Sequence, residues 1–294
     1  PHKSFNLQPG LRYIYNFTFE APLVYSLNVK WDIFKLMSLR GSYAKGFRAP
    51  SIKELYLNFQ DINHNILGNP DLEAETGNNV NIWLDINLGK KSHQISNSTN
   101  VYYNKINNKI ELLYDPDDPT SAIYFNVPAG AMISKGFSSN ITYKLHPRLT
   151  LNSGVFYNKL SSIINTREFT KNTDFTANMK YKNVKYRFEL SLFYKYTDRY
   201  SRYVGSMDMD TGEIYDVSLS YLDAYHNMDA TLSVPMFNSA VRLTGGVKNI
   251  FDNTSISSSG GGAVHSGGSD GSALLNWGRT WFLKASYAFN RFDK

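Results

Sequence analysis

Apolar and polar residues alternate along most of this chain. Residues 186–197, YRFELSLFYKYT, show the pattern clearly. One set of alternate positions is apolar and carries tyrosines at both ends, whereas the other set carries most of the charged and hydroxyl groups. A period of two places the two sets on opposite faces of a β-strand. We therefore predict a strand over 186–197, with Leu190 near its middle on the apolar face and Ser191 on the polar face.

The same alternation recurs along the chain. Further apolar faces are predicted at Leu23–Trp31, Val80–Leu88, Leu149–Tyr157, Val241–Val247 and Trp281–Phe289. All such segments together give about twelve strands at the spacing of long hairpins. Tyrosines at both ends of a long apolar face are typical of strands that cross a membrane between two interfacial aromatic belts. Strands of a soluble β-sandwich also alternate, but they are rarely twelve residues long.

The predicted connections are of two kinds. Tight turns are expected at 145–148, 182–185 and 235–238, and long loops at 46–76, 109–128, 160–171, 198–222 and 252–277. Outer-membrane barrels have short turns on the periplasmic side and long loops outside. Loops this long are uncommon in a compact soluble domain. We predict an all-β fold, a transmembrane antiparallel β-barrel that includes about twelve strands of this chain.

Composition narrows the function. The 294 residues include Tyr 21 and Phe 18 but no apolar run near twenty residues, so a transmembrane helix is not expected. The net charge of +6 is scattered, which disfavours nucleic-acid binding. No nucleophile elbow, HExxH motif or P-loop is present, so we do not expect an enzyme. No signal peptide is visible at the first residues, and we expect a processed chain or a fragment.

Residues 44–76, AKGFRAPSIKELYLNFQDINHNILGNPDLEAET, interrupt the alternation. We predict that a strand ends at Phe47 and that the chain turns at Pro50. Ser51 and Glu54 fit a capping box that opens a short helix. Apolar residues then recur at helical spacing, at Ile52, Leu55, Tyr56 and Phe59.

The same stretch ends in a second turn signal. Asn69, Pro70 and Asp71 predict a turn that returns the chain to a strand near Gly77. We expect Arg48 to pair with a carboxylate at this rim, either Glu54 or Glu75.

These motifs and the predicted barrel resemble the TonB-dependent outer-membrane receptors. The resemblance is carried by Phe47-Arg48-Ala49-Pro50, Ser51–Tyr56, Gly68-Asn69-Pro70-Asp71-Leu72 with Glu75, Gly246–Phe251 and Gly278–Phe282. It implies a 22-stranded barrel with a plug and a Ton box. Residues 1–294 would then be the C-terminal part of the barrel, without the plug and about ten strands. A self-closed barrel of twelve strands is the alternative.

Two departures from the family pattern are present. Ala74 stands where the family often has proline before the glutamate, and residues 291–294 extend beyond the usual terminal aromatic. The first implies a looser entry into the next strand.

The resemblance also implies a function, which is active import of a scarce nutrient across the outer membrane of a Gram-negative bacterium. The expected partners are the TonB–ExbB–ExbD complex, acting through the missing N-terminal part, the outer-membrane lipid and a surface lipoprotein. Haem or a ferric siderophore is expected as the transported ligand, with no resident cofactor. Alternatives are a cobalamin receptor of the same family and a passive porin or adhesin-type barrel.

Three residues are candidate ligand contacts. His64 lies between the two motifs, where some haem receptors of this family carry a histidine, and neutral imidazole is a suitable axial ligand for haem iron. His265 lies in the glycine- and serine-rich stretch 257–271, and Tyr56 lies on the predicted helix. A solvated or hydrogen-bonded polar side chain is the alternative interpretation for each histidine.

Overall fold

One antiparallel sheet of twelve strands contains most of the strand residues in this computed structural model. The structure describes residues 4–90, 92–114, 118, 120–145, 148–207, 214–237, 240–259 and 271–288. With strands numbered along the chain, the sheet order is β1 (Phe5–Arg12), β2 (Val24–Phe34), β3 (Met37–Arg48), β6 (Glu75–Lys90), β7 (His93–Asn107), β10 (Ala131–Leu145), β11 (Leu149–Ser161), β12 (Phe169–Asn183), β13 (Phe188–Thr197), β16 (Tyr225–Met236), β17 (Val241–Lys248) and β20 (Thr280–Tyr287). The predicted barrel sheet is confirmed.

The register separates an apolar face from a polar one, because directly opposed residues share a face. One row crosses nine strands and is apolar throughout: Leu88, Ile95, Tyr143, Leu151, Met179, Leu192, Ala230, Val247 and Trp281. The adjacent row on the other face is polar except at one position: Asn87, Ser96, Thr142, Asn152, Asn178, Phe193 and Asp229. The first face suits lipid and the second a hydrated lumen.

The sheet is open. Among the described residues, β1 pairs only with β2, and β20 pairs only with β17. The self-closed alternative is therefore not the arrangement of this chain. Unpaired backbone groups at two edges would be costly in lipid, where no water can satisfy them.

Four of the five predicted long loops contain further strands, which corrects their prediction as loops, whereas residues 162–168 form a connection without a strand. One four-stranded sheet, here called the rim sheet, has the order β4 (Asn58–Gln60), β5 (Asn65–Leu67), β9 (Ser121–Asn126) and β8 (Ile110–Tyr114). A second has the order β14 (Tyr200–Met207), β15 (Ile214–Leu222), β18 (Ser255–Ser259) and β19 (Ser272–Leu274). In each sheet one pairing joins segments that are distant in sequence, β5 with β9 and β15 with β18, which a local pattern does not reveal.

Several predicted strand ends were wrong by a few residues. Tyr186 and Arg187 lie in the turn before β13, and Arg187 has φ 52, a left-handed conformation that no strand residue adopts. Leu190 is therefore the third residue of β13 and not a middle one. Pro235, predicted in a turn, belongs to β16. The pairing of β16 with β13 ends at Ser233, so no backbone hydrogen bond to β13 is required of Pro235, which has no N–H group.

The remaining strand-end differences are small. Leu23 precedes β2, Lys182 lies within β12, and Met236 ends β16. Phe289 lies outside the described residues.

Helix is scarce in this fold. Within the described ranges the α-helix is α1 (Ile52–Tyr56), with five residues. No helix there has both the length and the apolar character needed to cross a membrane.

Candidate functional site at the rim

The chain leaves β3 at Arg48 and enters α1 through a capping box. The backbone N–H of Glu54 donates to Ser51 Oγ at 3.2 Å, and the N–H of Ser51 donates to Glu54 Oε2 at 2.7 Å. Both N–H groups would otherwise lack an intrahelical partner. Pro50 is buried just before the cap, and Ala49 precedes it, directly after the end of β3. The predicted cap at Ser51 is confirmed, and the strand ends at Arg48, one residue later than predicted.

The predicted apolar stripe is only partly correct. The helix ends at Tyr56, and Phe59 lies in β4. Leu55 is buried, whereas Ile52 is 81% exposed. The backbone at Leu57, the C-cap residue, is no longer helical, so Phe59 does not continue the apolar face of the helix.

Arg48 pairs with both carboxylates that the sequence proposed as alternatives. Its Nε and Nη2 donate to the two oxygens of Glu75 at 2.8 and 2.7 Å. Its Nη1 donates to the Glu54 carboxylate at 2.8 and 2.9 Å. Such a fork matches the planar guanidinium and fixes the angle between the groups. Arg48 therefore connects the end of β3 to α1 and to the start of β6.

Glu75 has two further partners that the sequence did not suggest. The backbone N–H of Ile110 donates to Glu75 Oε1 at 2.9 Å, and Lys109 Nζ lies 3.5 Å from the same oxygen. The Glu75 side chain is only 10% exposed. One buried carboxylate thus links the main sheet to β8 of the rim sheet. In the sequence, Lys109 simply precedes the apolar residues of β8, and nothing there indicates that Lys109 or Ile110 contacts Glu75.

Glu54 stays ionised over an unusually wide pH range. Burial alone would raise the pKa of this carboxyl, but hydrogen bonds from Arg48 and Ser51 outweigh burial and lower the pKa to about 2. A carboxyl with a lowered folded-state pKa stabilises the fold fully above its unfolded value. That contribution is lost as pH falls from about 4.5 towards 2.

The second motif closes the rim from the other side. The N–H of Asn69 donates to the Glu54 carbonyl at 2.8 Å, and the N–H of Asp71 donates to Asn69 Oδ1 at 2.9 Å. Leu72 is buried against Leu55 and Ile110 in a small apolar cluster. The turn at Asn69–Pro70 is confirmed, although the following strand begins at Glu75, two residues earlier than expected.

Gly68 permits the close approach of this turn to α1. A Cβ at Gly68 would lie 2.6 Å from backbone atoms of Leu55, Tyr56 and Leu57. We expect Gly68→Ala to destabilise the rim by about 1–3 kcal/mol, since backbone cannot yield as a flexible side chain does. Hydrogen exchange of residues 52–60 would measure the effect.

Gly41→Ala is the matched control, because a Cβ there meets nothing within 4 Å. Equal protection of residues 52–60 in the Gly68 variant and the wild type would contradict this packing.

His64 lies in the turn between β4 and β5. Its Nδ1 is 3.0 Å from Asp61 Oδ1, and its ring centroid is 5.6 Å from that of Phe59. The pKa of Asp61 is lowered mainly by the hydrogen bond from the Asn63 N–H and, to a smaller extent, by His64. A carboxylate accepts the proton of Nδ1–H, so this tautomer carries its lone pair on Nε2. Nε2 is the atom that could bind a metal.

The other two candidate ligand residues are Tyr56 and His265. Tyr56 is 65% exposed at the end of α1. His265 lies outside the described residues. Over the part of the chain that the structure describes, no group of three or more His, Asp or Glu side chains could hold a metal ion. A single imidazole on haem iron needs no such cluster.

The comparison with known families agrees with this architecture. Residues 2–250 match the family model described as TonB dependent receptor-like, beta-barrel. The chain belongs to the TonB-dependent receptor family. The resemblance drawn from the motifs is thus confirmed, and the protein is an outer-membrane β-barrel protein of a family of Gram-negative transport receptors.

Curated relatives of this TonB-dependent receptor carry names connected with iron. The chain is 29% identical over 158 residues to the probable hemoglobin and hemoglobin-haptoglobin-binding protein 4 of Haemophilus influenzae, covering 50% of this chain and 15% of that protein. It is 25% identical over 181 residues to the iron-regulated outer membrane virulence protein of Vibrio cholerae, covering 61% of this chain and 27% of that protein.

A solved structure supports the fold over nearly the whole chain. A variant of the ferric enterobactin receptor PfeA of Pseudomonas aeruginosa, in complex with enterobactin, superposes with a TM-score of 0.70 at 17% identity. The match covers 98% of this chain and 43% of PfeA. The chain therefore spans less than half the length of each of these three proteins.

Proposed function

We propose that this chain forms part of a receptor that imports an iron compound through the outer membrane. The observation that carries the proposal is the His64–Asp61 pair, held on the rim of a TonB-dependent receptor barrel. The names of the two curated relatives, which refer to hemoglobin binding and to iron regulation, support iron as the cargo.

Residues 1–294 would serve as the C-terminal part of the barrel. Further strands would pair with β1 and β20, since open edges are not stable in lipid. Energy would come from the TonB–ExbB–ExbD complex through a plug and a Ton box. A surface lipoprotein would present the ligand from outside.

Haem is the ligand that the rim favours. His64 Nε2 would bind the iron, while Asp61 holds the ring by its other nitrogen and increases its basicity. Exposed Tyr56 offers an aromatic face or a phenol to the same ligand, and His265 would approach from another loop. The haem would be cargo, not a resident cofactor.

Replacing His64 by alanine should lower haem affinity about tenfold or more and shift the Soret band, because one axial ligand is lost. Absorption titration of the complete receptor with haem would measure both effects.

His93→Ala is the matched control, since His93 lies at the tight-turn end of β7, bonded to Tyr143. Identical spectra for the wild type and His64→Ala would mean that His64 is a structural residue of the turn.

A ferric siderophore is the second candidate cargo, and it rests on the superposition with the ferric enterobactin receptor. Growth under iron limitation, with either haem or a ferric siderophore as the iron source, would separate the two. Uptake of cobalamin would be measured in parallel. A passive porin or adhesin would show no loss of transport when the TonB complex is inactivated.

A further inference from the structure

Three lysines face one another on adjacent strands of the main sheet. Lys135 of β10 is directly opposite Lys159 of β11, which is directly opposite Lys171 of β12. We call this row the lysine ladder. Directly opposed side chains have Cβ atoms about 4.5–5.5 Å apart, and like charges at that distance destabilise a sheet.

The ladder lies on the lipid-facing side. Lys135 is also opposite Tyr103, which is two residues beyond the exposed Val101. Residues two apart on a strand share a face, and Val101 opposes Ile82 and Phe137 on the apolar side. The ladder therefore continues the lipid-facing surface and does not line the lumen.

The ladder also lies at the end of the strands that carries the long connections. Lys159 is two residues from the end of β11, and Lys171 is two residues from the start of β12. From Leu145 to Lys135 is ten residues, about 33 Å along the strand. At a tilt of about 40° this is roughly 25 Å along the membrane normal, the height of the apolar band of such barrels. The ammonium groups thus reach the outer headgroup layer.

Acidic side chains do not neutralise the ladder. In the described ranges, none of its three lysines forms an ion pair with Asp or Glu, and Lys135 Nζ lies 4.3 Å from the Phe169 ring centroid. Lys105 extends the same face, one row nearer the long connections. By contrast, the lumen-facing Lys180 is paired with Glu189 at 3.0 Å.

We propose that the lysine ladder binds the phosphate groups of a phosphorylated glycolipid in the outer leaflet. A lipid phosphate between two ammonium groups relieves their repulsion, and its acyl chains would lie along the apolar rows below. Anionic lipids attract basic residues at the headgroup level in just this way. The proposal depends on the outer-membrane location of the barrel and not on the identity of the imported ligand.

Native mass spectrometry of the complete receptor, titrated with lipid A that carries two phosphates, tests the proposal. We expect the triple variant Lys135→Gln, Lys159→Gln, Lys171→Gln to bind lipid A at least about tenfold more weakly than the wild type. The corresponding triple arginine variant should retain binding, because its charge is kept. If the triple glutamine variant does not fold, Lys159→Gln alone should still weaken binding, since Lys159 is the central rung.

The matched control is Lys144→Gln, Lys182→Gln, Lys284→Gln, which removes three lumen-facing charges and should leave lipid A binding unchanged. Equal binding by the wild type and the ladder variants would overturn the proposal. So would equal binding of lipid A without phosphates, or displacement of lipid A by millimolar inorganic phosphate, which would indicate a site for free anions. Haem or siderophore binding should not change in the ladder variants, so failure here is distinct from failure of the import proposal.

Discussion

Replacing Glu75 by glutamine is expected to destabilise the rim by about 2 kcal/mol or more. The change leaves Arg48 and Lys109 without their shared carboxylate and weakens the bond to the Ile110 N–H. Removing one partner of a fully buried ion pair typically costs about 3–5 kcal/mol. The cost here is smaller because the Arg48 side chain is 43% exposed and retains its ion pair with Glu54. Hydrogen exchange of residues 108–114 would show the loss as faster exchange.

The control for this change is Glu111→Gln. Glu111 is 41% exposed and contacts only the Lys109 ammonium, at 3.5 Å, among the salt bridges of the described residues. An exposed pair of this kind contributes about 1 kcal/mol or less. Equal acceleration of exchange in both variants would mean that Glu75 does not connect the two sheets.

Leu192→Lys should lower the free energy of unfolding by about 2–4 kcal/mol, the cost of a lysine near the bilayer midplane. Leu192 is the fifth residue of the ten in β13 and belongs to the apolar row that crosses nine strands. Leu190→Lys should cost less, because Leu190 lies nearer the turn. Urea titration of the complete receptor in lipid vesicles would measure the free energy of unfolding of the wild type and of each variant.

Ser191→Lys completes the series. Ser191 points to the other face, opposite Lys180 and Thr231. A lysine there would meet the like charge of Lys180, which Glu189 already pairs at 3.0 Å, and should cost only about 1 kcal/mol or less. A loss at position 191 that equals or exceeds the loss at position 192 would contradict the assignment of the lipid and lumen faces.

Local patterns were sufficient for much of this fold. Alternation over Val80–Leu88 places that segment in β6 with the expected face, and the spacing of Ser51 and Glu54 marks the start of α1. Both patterns depend only on residues that are close together in the sequence. They were insufficient at the ends of strands, where Arg187 turns left-handed although the alternation continues through it.

The candidate site was only half predictable for the same reason. Arg48 could be assigned to a carboxylate, because both motifs carry acidic residues. The bond from the Ile110 N–H to Glu75 joins residues 35 positions apart through a backbone atom that every residue has. No side-chain pattern can identify such a partner, so the link between the two sheets is visible only in the structure.

The parallel pairing of β5 with β9 has a consequence for how the receptor matures. Asn65 and Ser121 are 56 positions apart, and the whole β6–β7 hairpin lies between them. Bringing such distant segments together is entropically costly and slow unless the intervening chain is already folded. The β6–β7 hairpin is therefore expected to form before β5 pairs with β9, so the rim sheet is completed after the part of the main sheet on which it depends. A chain arrested before the hairpin forms would lack the β5–β9 pairing and the hydrogen bond from the Asn65 side chain to Ser121 Oγ, so the rim sheet would be incomplete.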